Sequence, residues 1–180
     1  MRNLSLAILL LFACQFCFGQ VFKLDSLPKQ GVLLDKGWKW HAGDNPDFDD
    51  SAWESIDPTK DIHDLPQIFD SKVKWLRLNI EVKNKIIKPT GISIMQAGAS
   101  EIYLNGQLIH RIGQINGNIK LIKASDPLDI PLSFPIDTIW KYTLSIRYVL
   151  QPKVRYTTLY GLTQNMLFKA TIVVYKICIK

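Results

Sequence analysis

The chain has 180 residues, enough for one domain of ordinary size with its own core. Hydrophobic residues make up 47% and charged residues 21%, which excludes a globally disordered chain. The formal charge of +6 is scattered along the chain, so it reads as a solvated surface and gives no nucleic-acid signal.

The N-terminus reads as a targeting segment. Arg2 supplies a basic start, "LSLAILLLFACQFCF" an uncharged apolar run, and "CFGQ" small residues before a polar one. A secretory signal peptide over residues 1–19 is expected, and with it an exported chain on the extracytoplasmic side of a cell envelope. The second reading is a lipoprotein signal ending "LFAC", with Cys14 lipidated, although Phe12 fits that pattern poorly. Cleavage removes Arg2 and leaves 21 basic against 16 acidic residues, about +5. It also removes Cys14 and Cys17, so only Cys178 remains and no internal disulfide is expected.

Strand signals follow. "GVLLD" and "WKWHAG" supply one or two strands near the start of the mature chain. In "GDNPDFDDSAW", residues 43–53, Asn45–Pro46 begins a turn and Asp49, Asp50 or Ser51 caps a short helical turn running to Trp53. Phe48 and Trp53 are expected to bury their rings and pin it. "VKWLRLNIEV" alternates Leu76, Leu78, Ile80 and Val82 with Arg77, Asn79 and Glu81, a half-buried strand. "KNKIIK" falls where a loop is expected, and "GISIMQA" is a third strand. "SEIYLNGQLIHRIG" is a hairpin turning at Asn105–Gly106, the favoured pair where both central residues need positive φ. "LDIPLSF", residues 128–134, is an edge strand because Pro131 has no N–H to donate. "KYTLSIRYVL" places Tyr142, Leu144, Ile146 and Tyr148 on one face. Residues 161–180 read either as a last strand or as the truncated approach to a membrane segment. Many short strands and almost no helix predict an all-β, jelly-roll β-sandwich over residues 20–160.

Catalytic and metal signals are weak. The acidic stretch lacks the glycine and glutamate of an EF-hand, which leaves room only for a calcium site built from scattered carboxylates. Asp49 and Asp50 are adjacent, so on an extended segment they point apart, unlike a glycosidase pair facing one bond. His41, His63 and His110 show no metal-ligand spacing. No GxSxG or phosphate-cradling loop occurs, and no metal or cofactor is expected. Five tryptophans invite a sugar-stacking reading. Trp38 and Trp40 share parity on one strand and are the candidate ligand-binding rings, against the plainer reading that such rings are buried. Trp53 and Trp75 read as packing residues.

These residues in this order resemble the galactose-binding-domain-like jelly roll. The best-known relative is the N-terminal sugar-binding domain of family two glycoside hydrolases, with its "DDSxW" turn, tryptophan–x–arginine strand and "NG" hairpin. Here those features fall on Asp49, Asp50, Ser51 and Trp53, on Trp75 and Arg77, and on Asn105 and Gly106, and the resemblance covers residues 37–148. The wording of "ESIDPTKDIHDLPQ" and "GASEIYLNG" is also similar to the extracytoplasmic N-terminal region of bacterial membrane-bound signalling proteins, sensor histidine kinases among them. That family's "GWFRL" stands here as "KWLRL". The resemblance implies a non-catalytic sensory domain cut from a receptor, binding an unknown small molecule or glycan, with membrane association only in the full-length receptor. The alternative is a carbohydrate-binding module, secreted or severed from a glycoside hydrolase. An enzyme ranks last, since the hydrolase relatives keep their catalytic carboxylates in a barrel that 180 residues cannot also hold.

Overall fold

A computed structural model describes residues 21–45, 49–60, 65, 70–86, 89–96, 98–125, 130–136, 140–152 and 173–179. The expected signal peptide, Phe48, His63 and Pro46 lie outside the described residues. Eleven strands occur among them: β1 (Phe22–Leu24), β2 (Val32–Leu33), β3 (Lys39–Ala42), β4 (Glu54–Ser55), β5 (Lys74–Val82), β6 (Thr90–Gln96), β7 (Gly98–Leu104), β8 (Gln107–Ile112), β9 (Leu132–Ser133), β10 (Lys141–Leu150) and β11 (Val173–Ile179). One sheet runs β4-β3-β5-β10-β7-β8, with β1 added in parallel alongside β5. The other runs β2-β11-β6-β9 and is antiparallel throughout. The chain is an all-β, jelly-roll sandwich.

Period-two alternation builds the core. Leu76, Leu78 and Ile80 of β5 stand opposite Ile146, Leu144 and Tyr142 of β10, and Ile102 and Leu104 of β7 continue the layer. Ile92 and Ile94 of β6 and Ile177 of β11 close on it from the second sheet, in one continuous cluster that also holds Trp38 and Phe134. Each such side chain, taken from water to a fully buried site, contributes roughly 1.5–3 kcal/mol. Residues 113–125 fold over the outer face of the first sheet, where Ile122 packs on Ala99 and Val149. That cover explains why Val149 is buried although its parity points outward.

One expected element is shorter than the sequence reading, and the C-terminal strand that it offered as one alternative is present. Of the edge strand anticipated over 128–134, the described residues pair at Leu132–Ser133, with Ile92 and Gly91. It does lie at a sheet edge, and the prolines at 131 and 135, which have no N–H, bracket the pairing. The C-terminal residues Val173–Ile179 form β11, hydrogen-bonded between β2 and β6. The sandwich therefore includes residues beyond the boundary drawn at 160. No helix among the described residues is long and apolar enough to cross a membrane.

The hairpin β7–β8 turns as its Asn-Gly pair dictates, with φ of 51° at Asn105 and 80° at Gly106. Asn105 also accepts from the Thr143 amide at 2.8 Å, tying the turn to β10. Gly98 serves a different need. A Cβ there would lie 2.4 Å from the Val149 carbonyl oxygen and 2.8 Å from the Tyr148 ring. Gly98→Ala is expected to cost about 1–3 kcal/mol through overpacking against backbone. Gly106→Ala, whose Cβ meets nothing within 4 Å, should cost only the left-handed backbone penalty of about 1 kcal/mol. Urea midpoints of the two variants check the order, and a Gly98→Ala protein as stable as wild type would contradict the close approach.

Candidate functional site

The acidic stretch forms a 3-10 turn over Asp50–Ala52, capped by Asp49. The Asp49 carboxylate accepts from the Ser51 amide at 3.0 Å and the Ser51 hydroxyl at 2.6 Å. Those two bonds, the hydroxyl first, hold its carboxyl below the usual range, which suits a cap and not a general acid. Asp50 faces the sheet instead. Its carboxylate lies 3.9 Å from Lys39 Nζ and 3.6 Å from Arg77 Nη1, and Lys39 Nζ donates to the Asp50 carbonyl at 2.7 Å. Lys39 and Arg77 are register partners on β3 and β5, so the two basic side chains rise together under the turn.

Trp53 follows the turn down onto the same face. Its ring meets His41 edge-on at 5.7 Å, and the Arg77 guanidinium lies 4.5 Å from its centroid. Trp75, opposite His41, contacts Tyr103 with ring centroids 5.4 Å apart. Arg147 completes the cluster. Its Nε and Nη2 each donate to Asp44 at 2.6 Å, a bidentate pair, and Nη1 donates to Glu101 at 3.1 Å. Glu101 further accepts from Tyr103 at 3.0 Å and from Arg111 at 3.3 Å. Burial works to raise the Glu101 carboxyl, but the bonds from Tyr103, Arg147 and Arg111 outweigh it and hold the group ionised below its ordinary range. Burial and the bond to Glu101 push the Tyr103 phenol up. The bond to Asp44 raises Arg147 against its own burial.

This arrangement is a clamp. Asp44 and Asp50 each engage basic side chains of the sheet, so the acidic stretch is fastened at both of its described ends. Among the described residues no group of three or more His, Cys, Asp or Glu is placed to hold a metal ion.

The ring positions proposed for ligand binding need correction. Trp38 is 1% exposed and donates from Nε1 to the Leu34 carbonyl at 2.8 Å, so it belongs to the core. Trp40 lies opposite Leu76 and packs against the same cluster. The two do share a face, as parity requires, but it is the inner one. Trp53 and Trp75 are buried on the outer face, as packing residues. His110 Nε2 lies 2.6 Å from the Ser133 carbonyl and so links the two sheets.

The exposed indole is Trp140, at 67%. It precedes β10 at the rim, where its carbonyl accepts from the Val82 amide at 2.8 Å and the next residue, Lys141, pairs with Glu81. Sequence reasoning passed over it. Its parity matches Tyr142 and Leu144, yet it stands one residue outside the alternating run and beside an exposed lysine, and that position marks a rim.

No family model and no curated protein matches the chain. Among solved structures, the chain is similar to a β-glucuronidase of Bacteroides uniformis at 17% identity and a TM-score of 0.46, over 82% of this chain and 18% of that one. A family two glycosyl hydrolase member of Bacteroides cellulosilyticus follows at 16% identity and a TM-score of 0.40, over 81% and 20%. A β-glucosidase of Kluyveromyces marxianus stands at 11% and 0.39, over 79% and 17%. The chain thus spans about a fifth of the length of these enzymes. At these scores the likeness carries no activity over, and the fold rests on the strands themselves.

Proposed function

We propose that the chain is a non-catalytic carbohydrate-binding module, with Trp140 as its stacking ring. The observation that carries this reading is an indole 67% exposed at the rim of the sandwich. A flat apolar face beside hydrogen-bonding side chains is what a pyranose ring needs, and Lys141 and Glu81 stand at the adjacent register position. The engagement of Asp49 by Ser51 and of Asp50 by Lys39 and Arg77 supports the non-catalytic part. The resemblance to a sugar-binding domain agrees with it. The receptor reading rests on the wording of residues 54–67 and 98–106, and the comparisons lend it no support.

The test is titration with a glycan panel followed by tryptophan fluorescence and calorimetry. Trp140→Ala should weaken binding about tenfold, the loss of one good ring contact, without changing stability. The four other tryptophans are buried or packed on the core, so the spectral change should vanish with Trp140. A wild-type protein silent to every glycan would sink the proposal.

A further inference from the structure

Residues 113–125 form an ordered protrusion on the outer face of the first sheet. Gln114 and Lys123 close its base through paired backbone bonds of 2.8 and 3.0 Å. Asn118 caps a 3-10 turn over Ile119–Leu121, accepting from the Lys120 amide at 3.0 Å. Ile122 points inward onto Ala99 and Val149. The same geometry turns Ile119 and Leu121 outward, 45% and 52% exposed. Two aliphatic side chains are therefore held in water by a built turn.

The charges along this segment have one sign. From Arg111 to Ser125 the chain carries Arg111, Lys120 and Lys123 and no acidic residue. Among the described residues neither Lys120 nor Lys123 forms an ion pair. Arg111 is itself two-thirds exposed beside its contact with Glu101. Exposed aliphatics flanked by cations match the two layers of an anionic membrane surface, acyl chains below and phosphates above.

We propose that this protrusion docks the domain on an anionic lipid bilayer, with Ile119 and Leu121 entering the interface and Lys120, Lys123 and Arg111 meeting the headgroups. This surface is separate from the Trp140 rim and does not depend on it. The test is co-sedimentation of the full chain with vesicles of phosphatidylcholine alone and with about one-third phosphatidylserine. Residues 4–18 are apolar and Arg2 lies beside them, so this segment has an anionic preference of its own; the readout is therefore the loss of preference in the variants, which leave that segment unchanged. The wild-type chain should prefer the anionic vesicles, and rising salt should erode the preference. Ile119→Ser/Leu121→Ser and, separately, Lys120→Glu/Lys123→Glu should each weaken anionic binding about tenfold or more, with unchanged circular dichroism and melting. Absence of an anionic preference, or a preference untouched by both double variants, overturns the proposal. Concentration-dependent self-association that disappears in Ile119→Ser/Leu121→Ser overturns it in favour of a second copy.

Discussion

Trp38→Ala is expected to destabilise the domain by about 3–5 kcal/mol, the range for removing a large aromatic from a close-packed interior. A domain of this size holds only about 5–15 kcal/mol in total, so most of the protein should unfold in mild denaturant. Three features combine at this position. Among the described residues the side chain is the largest of those almost wholly buried. It sits within the cluster joining both sheets, which includes Leu76 and Ile92, so a cavity there opens both layers at once. Its indole N–H also satisfies the buried Leu34 carbonyl, which the variant leaves without that partner. Trp38→Phe keeps much of the volume and loses the hydrogen bond, so it should fall between. Urea unfolding at constant slope is the measurement. Trp140→Ala is the control and should move the midpoint little, because its ring is mostly in water already. A Trp38→Ala loss below about 1 kcal/mol would remove the residue from the core.

The contrast between these two tryptophans shows what the sequence could carry. Alternation tells that Trp38 and Trp40 share a face, but not which face, since period two is the same for a core and for a platform. Only the second sheet, with Ile92, Ile94 and Ile177, decides that the shared face is inward. Long alternating runs such as β5 and β10 were legible because apolar residues alternate with polar ones along most of each, although six of nine and six of ten residues are buried. The Asn105–Gly106 turn was legible because its backbone geometry excludes most other pairs. Strands β1 and β4 are three and two residues long and owe their existence to the neighbours they pair with, so no local signal announces them. Lys74 breaks the pattern at the head of β5. It is buried, on the inward parity, because its ammonium caps the Asp70 and Lys72 carbonyls and pairs with the Asp70 carboxylate. Of the outer-face cluster, the turn chemistry of Asp49 and Ser51 was readable within three residues. The bond from Arg147 to Asp44 spans 103 residues and has no local trace.

That long-range bond sets the second large effect. Arg147→Met should cost about 2 kcal/mol at neutral pH, between the small worth of an exposed pair and the 3–5 kcal/mol of a fully buried one. The guanidinium and Glu101 are mostly buried while Asp44 is half exposed, which places the effect between those limits. The variant leaves Glu101 with Tyr103 and Arg111 alone and releases the Gly43–Asp44 bend from β10. The pH dependence separates this from simple loss of packing. The folded Glu101 carboxyl lies below its ordinary value of about 4.5, so near that pH the unfolded chain binds the extra proton. Its contribution is therefore present in full above the ordinary value and is lost as pH falls through the folded one. Asp49 and Asp70 shift in the same direction, so wild-type stability should decline on the acid side of pH 4.5. The gap between wild type and Arg147→Met should narrow over that same interval, because a protonated Glu101 no longer needs the cation. Glu101→Gln should flatten part of the acid decline, and adding Arg147→Met to it should cost less than Arg147→Met alone. A wild-type-to-variant gap that stays constant from pH 7 to pH 3 would assign the loss at Arg147 to its aliphatic stem and leave the charge network without energetic weight.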